Sequence, residues 1–95
     1  MRQVIRLGTD PSTGHGCWPS RPTDSSNTSV YVNGILANTV TDHYPVHCCK
    51  KCHDGFASSG SSTVFIERKA VHRNGDAISC GDTASNGSTN VLCGG

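Results

Sequence analysis

A chain of 95 residues that is 34% hydrophobic and 5% aromatic has room for one domain, residues 1–95, with a thin core. Its 16% charged residues and net charge of +1 exclude a nucleic-acid binder driven by basic surplus and a charge-driven disordered tail. Gly, Ser, Thr and Asn make up about 40% of the chain, which excludes Ala/Leu/Glu/Lys helix building, and no apolar run is long enough to span a bilayer.

The N-terminal Met1-Arg2-Gln3-Val4-Ile5-Arg6 lacks the apolar core of a signal peptide, which predicts synthesis as a soluble cytoplasmic product. From there on, apolar residues come in short runs bounded by Gly, Ser, Asn or Asp, the pattern of an all-β chain. The first run is Val30-Tyr31-Val32, followed by Asn33-Gly34, a pair suited to a tight turn with positive φ. Val64-Phe65-Ile66 comes next, and Val91-Leu92-Cys93 closes the series before Gly94-Gly95.

These runs form an internal repeat. Ser29–Gly34, Thr63–Arg68 and Asn90–Gly95 align, each with a lead-in: Ser25-Ser26, Gly60-Ser61 and Gly87-Ser88. Ala37–Asp42 follows the first unit and Val71–Asp76 the second. The missing second half of the third appears at the N-terminus as Arg6-Leu7-Gly8-Thr9-Asp10. One unit split across the termini implies a closed pseudo-threefold object with its ends together. Alternation places Val30, Val32, Val64, Ile66, Val91 and Cys93 on a core face, with Tyr31, Phe65 and Leu92 opposite. Cys93 is then a buried, unpaired strand residue. Such an object suits a threefold partner.

Six Cys and five His in so small a chain call for a cross-link, either disulfides or a metal. Because His is interleaved with Cys, metal ligation is the better reading. The densest cluster is His47-Cys48-Cys49-Lys50-Lys51-Cys52-His53. Its Cys49/Cys52 pair has no second pair to complete a zinc finger and no βαβ pattern for a thioredoxin-like site. No nucleophile elbow or phosphate loop appears, so an enzyme is not expected.

Taken together, the repeat, Arg6-Leu7-Gly8, Gly14-His15-Gly16, Val46-His47-Cys48 through Cys52-His53, Gly60–Val64, Arg73–Asp76 and Cys80-Gly81 resemble a PAAR-repeat protein. Members of that family tip the central spike of contractile phage tails and type VI secretion systems. The naming Pro-Ala-Ala-Arg step reads Leu36–Thr39 in one unit and Ala70–Arg73 in the next, and Thr9 replaces the expected Asp, with Asp10 one position late.

The resemblance implies a small cone of β-hairpins with one structural zinc per chain near the apex. By family position its ligands are His15, His47, His53 and Cys80, with His43 a possible substitute for one hairpin His. They would come from three separate loops, and His72, within a repeat step, would be a surface residue. A shared metal at His15 and His47 would bring Cys17 near the cluster thiols, leaving a disulfide to Cys49 or Cys52 open.

The implied partner is a trimeric β-helical spike, one tip per trimer, contacted through Tyr31, Phe65 and Leu92 or their partner faces. The target-cell membrane is met in passing, and no nucleic acid is involved. The expected route is synthesis in the bacterial cytoplasm and assembly at a phage-tail or secretion-spike tip, as a bare tip with any toxin on another chain. The alternative is a free-standing cytoplasmic zinc-binding adaptor.

Overall fold

Each apolar triplet supplies one arm of a minimal hairpin. The computed structural model describes residues 1–95 and contains no helix. Its strands, in chain order, are β1 (Arg2–Gln3), β2 (Tyr31–Val32), β3 (Ile35–Leu36), β4 (His43–Cys49), β5 (Lys51–Phe56), β6 (Phe65–Ile66), β7 (Lys69–Ala70) and β8 (Leu92–Cys93). All pairing is antiparallel, as β2–β3, β6–β7, β1–β8 and the longer β4–β5. Tyr31 pairs with Leu36, Phe65 with Ala70, and Leu92 with Gln3. The third small hairpin therefore joins the two chain ends, and the split repeat stands.

The first two hairpins turn on residues with positive φ, Asn33 (55°) and Gly34 (79°) in one, Glu67 (50°) and Arg68 (68°) in the other. Such φ values at both central residues match the right-handed twist of the flanking strands.

The three units meet in a closed ring of backbone hydrogen bonds. Ile5 N–H donates to His72 O (3.1 Å), His72 N–H to Asn38 O (2.9 Å), and Asn38 N–H to Ile5 O (2.8 Å). All three residues are fully buried. Val4, Ala37 and Val71, each one residue earlier, pack with Val32 and Cys93 into the main apolar cluster, flanked by Ile66 and Val91. Cys93 is buried and unpaired, as its repeat position predicts. Of 43 backbone–backbone hydrogen bonds, 31 lie outside the strands, so turns and loops carry most of the backbone pairing.

A second set of polar residues repeats with the same period. Asn27 Oδ1 accepts from Ser29 and Val30 N–H (2.8 Å each), and Ser61 Oγ from Thr63 (3.1 Å) and Val64 (2.9 Å). Ser88 Oγ likewise accepts from Asn90 (3.4 Å) and Val91 (3.0 Å). These side chains close local turns ahead of each triplet. In the first unit the turn-forming residue is Asn27, one position after the Ser25-Ser26 lead-in. Because the turns fix the backbone at Val30 and Val64, ahead of strands only two residues long, alternation does not reach them. Both valines are 39% exposed, against the expectation of a core face.

After each hairpin an Asp closes the step. Asp10, Asp42 and Asp76 Oδ2 accept from the N–H of Arg6 (2.9 Å), Thr39 (2.8 Å) and Arg73 (2.8 Å). Arg6 and Arg73 also pair with their Asp through the guanidinium, which Thr39 cannot do. The consequence is visible in the acids. Burial opposes ionisation of Asp76 and is the largest single influence, but the side-chain and backbone hydrogen bonds from Arg73, together with its charge, outweigh it and lower the pKa. Asp42, without an arginine, is pushed up by burial.

His72 is not a surface residue. It is fully buried, with Nδ1 2.9 Å from Ser59 O and Nε2 3.0 Å from Tyr44 Oη. Its place in the backbone ring turns the side chain inward, where two polar partners make burial tolerable. Tyr44 belongs to a second, smaller cluster with Ala57 and Ile78, against which Cys80 packs. The Tyr44–His72 bond thus links the two clusters along a molecule measuring 37 × 23 × 21 Å.

Candidate metal centre

The ligand-bearing segments are more ordered than loops. His47 and His53 sit opposite each other in the β4–β5 hairpin, which reverses at Lys50 (φ 64°). A register shift between Tyr44 and His47 separates the hairpin's base from its tip. His15 lies in a tight turn closed in both directions with Trp18, His15 N–H to Trp18 O (3.1 Å) and Trp18 N–H to His15 O (2.8 Å). Gly14 enters this turn at φ 77°, and a Cβ there would stand 2.8 Å from Trp18 O, so a side chain is excluded twice over. Cys80 arrives from the third segment against Gly55, where a Cβ would lie 3.2 Å from Cys80 Cβ.

The structure brings His15, His47, His53 and Cys80 together, with one donor atom from each and all four within 4.8 Å of one another. His15 is 5.1 Å, centroid to centroid, from both His47 and His53, and those two are 4.4 Å apart with Nε2 atoms 2.6 Å from each other. His47 Nδ1 is 2.7 Å from Pro19 O, a carbonyl that can only accept, so Nδ1 carries the proton and Nε2 keeps its lone pair. Desolvation, with His47 and His15 adding to it, lowers the His53 pKa and favours the neutral, ligating form.

His43 is not part of this group. Its Nδ1 is 2.7 Å from Asp24 and its Nε2 2.7 Å from Asp54, so both nitrogens are committed. Hydrogen bonding to Asp54, then to Asp24, raises its pKa.

The residues fit a metal ion on two observations. Three imidazoles and a thiol are the donor types of closed tetrahedral sites. Moreover, His15 Nδ1 is shielded from solvent without a hydrogen-bond partner, and Asp82 Oδ2 stands 3.6 Å away. A cation held by these donors would answer that unmet bond, with Asp82 placed to support the His15 ring. The group could therefore hold a metal ion, and four protein donors leave no open position for a reacting water.

Sequence reasoning missed two neighbours of the site. Trp18 stacks on His15 (5.2 Å) and His53 (4.9 Å) and donates Nε1–H to Lys51 O (2.9 Å), roofing the imidazoles. The single tryptophan three residues after His15 was the available signal. Asp82 is buried and accepts from Thr13 Oγ1 and the N–H groups of Gly14 and Thr83. Burial opposes its charge, but those donors prevail and its pKa is lowered. Only the fold sets it beside His15.

The other thiols pair. Cys17 bonds Cys49, one of the two partners left open, and Cys48 bonds Cys52, which had not been anticipated. The clustered donor group and two disulfides thus coexist in one chain. Cys49 lies on the His47 face of β4 and Cys48 on the reverse face, where its cross-strand neighbour is Cys52.

Comparison with curated proteins finds no match. A family model described as PAAR motif matches residues 13–86, a span that holds all four clustered donors and most of the repeat. That family is structural rather than catalytic and is associated with the spike tips of contractile phage and type VI secretion machinery. The match covers well over half of the chain, and the chain belongs to the PAAR-motif family.

Proposed function

We propose that this protein is the tip of a contractile injection machine, of a phage tail or a type VI secretion system, capping the end of a trimeric β-helical spike and sharpening it for membrane piercing. The observation that carries this reading is the apolar trio at equivalent positions of three hairpins. Tyr31 is 61% exposed, Phe65 57% and Leu92 44%. Val30 and Val64 flank two of them and are also exposed. Large apolar side chains repeated with pseudo-threefold symmetry fit a threefold partner, and the end of a β-helix presents strand edges and a core that need covering.

One zinc ion per chain, held by His15, His47, His53 and Cys80, would supply structural cross-linking and no reaction step. It would join three segments whose own apolar cluster is only Tyr44, Ala57 and Ile78. Synthesis in the bacterial cytoplasm and assembly at the spike tip follow from the same reading, as does the absence of catalysis.

The test is co-purification with a trimeric β-helical spike fragment from the same source. Tyr31→Asp, Phe65→Asp and Leu92→Asp should each weaken capture while leaving metal uptake intact. Capture unaffected by all three would reject the mount.

A further inference from the structure

The Cys17–Cys49 bond joins the two segments that carry the imidazoles. Cys17 lies two residues after His15, and Cys49 two residues after His47. In a strand, residues two apart share a face, so Cys49 projects to the same side of β4 as His47, whose cross-strand partner is His53. On the other side of the bond, the His15–Trp18 turn is closed by its own two backbone hydrogen bonds.

Few other contacts tie that turn to the hairpin. They are Trp18 Nε1–H to Lys51 O, His47 Nδ1–H to Pro19 O, the stacking of Trp18 and His15 on His53 and the edge contact of His15 with His47. Neither apolar cluster includes Cys17, His15 or Trp18. Cys48–Cys52 is different. It spans four residues and links positions that the β4–β5 ladder already pairs, on the strand face away from His47.

We propose that Cys17 and Cys49 are positioning residues of the metal centre: their disulfide seats His15 against His47 and His53, so ion affinity is coupled to the oxidation of this one pair. The inference rests on the metal reading above. Closing the bond removes one proton and one electron from each thiol. The two electrons and two protons pass to a disulfide oxidant, such as oxidised glutathione, which leaves as two thiols. Coupling is reciprocal, so an ion that binds the oxidised form more tightly also makes the disulfide harder to reduce by the same factor. The main ring of Ile5, Asn38 and His72 and its apolar cluster include neither Cys17 nor Cys49.

Cobalt(II) titration, followed by its visible absorption bands, reads the site directly in the parent, in Cys17→Ser/Cys49→Ser and in Cys48→Ser/Cys52→Ser. The first double variant should bind at least about tenfold more weakly with the parent's band positions, as loss of ligand support does at other metal sites. The second should match the parent within about twofold. An affinity unchanged in Cys17→Ser/Cys49→Ser, or an equal loss in Cys48→Ser/Cys52→Ser, overturns the proposal alone. A parent that takes up no cobalt overturns the metal reading and the proposal with it.

A second measurement needs no variant. Alkylation of the parent at graded glutathione potentials, with mass spectrometry resolving the Cys17 and Cys49 peptides, gives the potential of that pair with and without zinc. Zinc should lower it by about 30 mV or more, the tenfold factor for a two-electron couple. An unchanged potential overturns the coupling even where the serine variant does not fold.

Discussion

Removing the Tyr44 hydroxyl tests how the two ends of the molecule are joined. His72 is fully buried, and its Nδ1 faces the Ser59 carbonyl, which can only accept. Nδ1 therefore carries the proton, and Nε2 accepts the Tyr44 O–H at 3.0 Å. Burial lowers the His72 pKa and keeps the ring neutral, consistent with that tautomer. Tyr44→Phe preserves the ring that packs on Ala57 and Ile78, so the apolar contribution is retained. What changes is one buried nitrogen left without a donor, which costs about 1–3 kcal/mol. In a domain of this size each kcal/mol moves Tm by roughly 4–8 °C, so a loss of about 2 kcal/mol lowers Tm by roughly 8–16 °C. Thermal unfolding followed by circular dichroism, at fixed metal loading, reads the shift. A Tm within about 2 °C of the parent would show that water reaches Nε2 and that the link does not hold the clusters together.

Three further outcomes follow from named features. Thr41 is exposed, at φ 81°, where its repeat equivalents are Gly8 (64°) and Gly75 (83°), so Thr41→Gly should raise stability by about 1 kcal/mol in urea unfolding; destabilisation would contradict the strain. The His43 pKa is raised by Asp54 and Asp24, so its stabilisation is full below about pH 6.5 and lost as pH rises through the folded-state value. His43→Gln should remove that alkaline-side slope, and an identical pH profile would contradict the clamp. Free zinc at a thousand times Kd should add about 4 kcal/mol to the parent, and Cys80→Ser should lose most of that gain; a Cys80→Ser protein stabilised as much as the parent would remove Cys80 from the site.

The repeat was legible because its signal is chemical, a Val, a large apolar residue and a smaller one, recurring even across the chain ends. Asn33-Gly34 announced its turn, whereas Glu67-Arg68 adopts the same backbone without either preferred residue, and only the alignment of units points to it. Val30 and Val64 were misplaced because alternation was carried past strands only two residues long. His72 was misread because a ring of backbone bonds, not periodicity, turns it inward. The four donors were reached through family position, and spacing alone left His43 in play. Its two Asp partners come from separate segments, so their commitment of both nitrogens had no local signature. Asp82 was invisible for the same reason, as was the choice of Cys49 over Cys52 as the partner of Cys17, whereas Trp18 was signalled only by its place three residues after His15.

The most direct test of the spike-tip reading is the mass of the assembled complex. One chain carries three equivalent hairpins, so one copy should cover all three protomers of a trimeric β-helix and leave no end for a second. Native mass spectrometry of the protein mixed in excess with the C-terminal end of such a spike should give one tip per trimer. Three tips per trimer, or no complex, would contradict it.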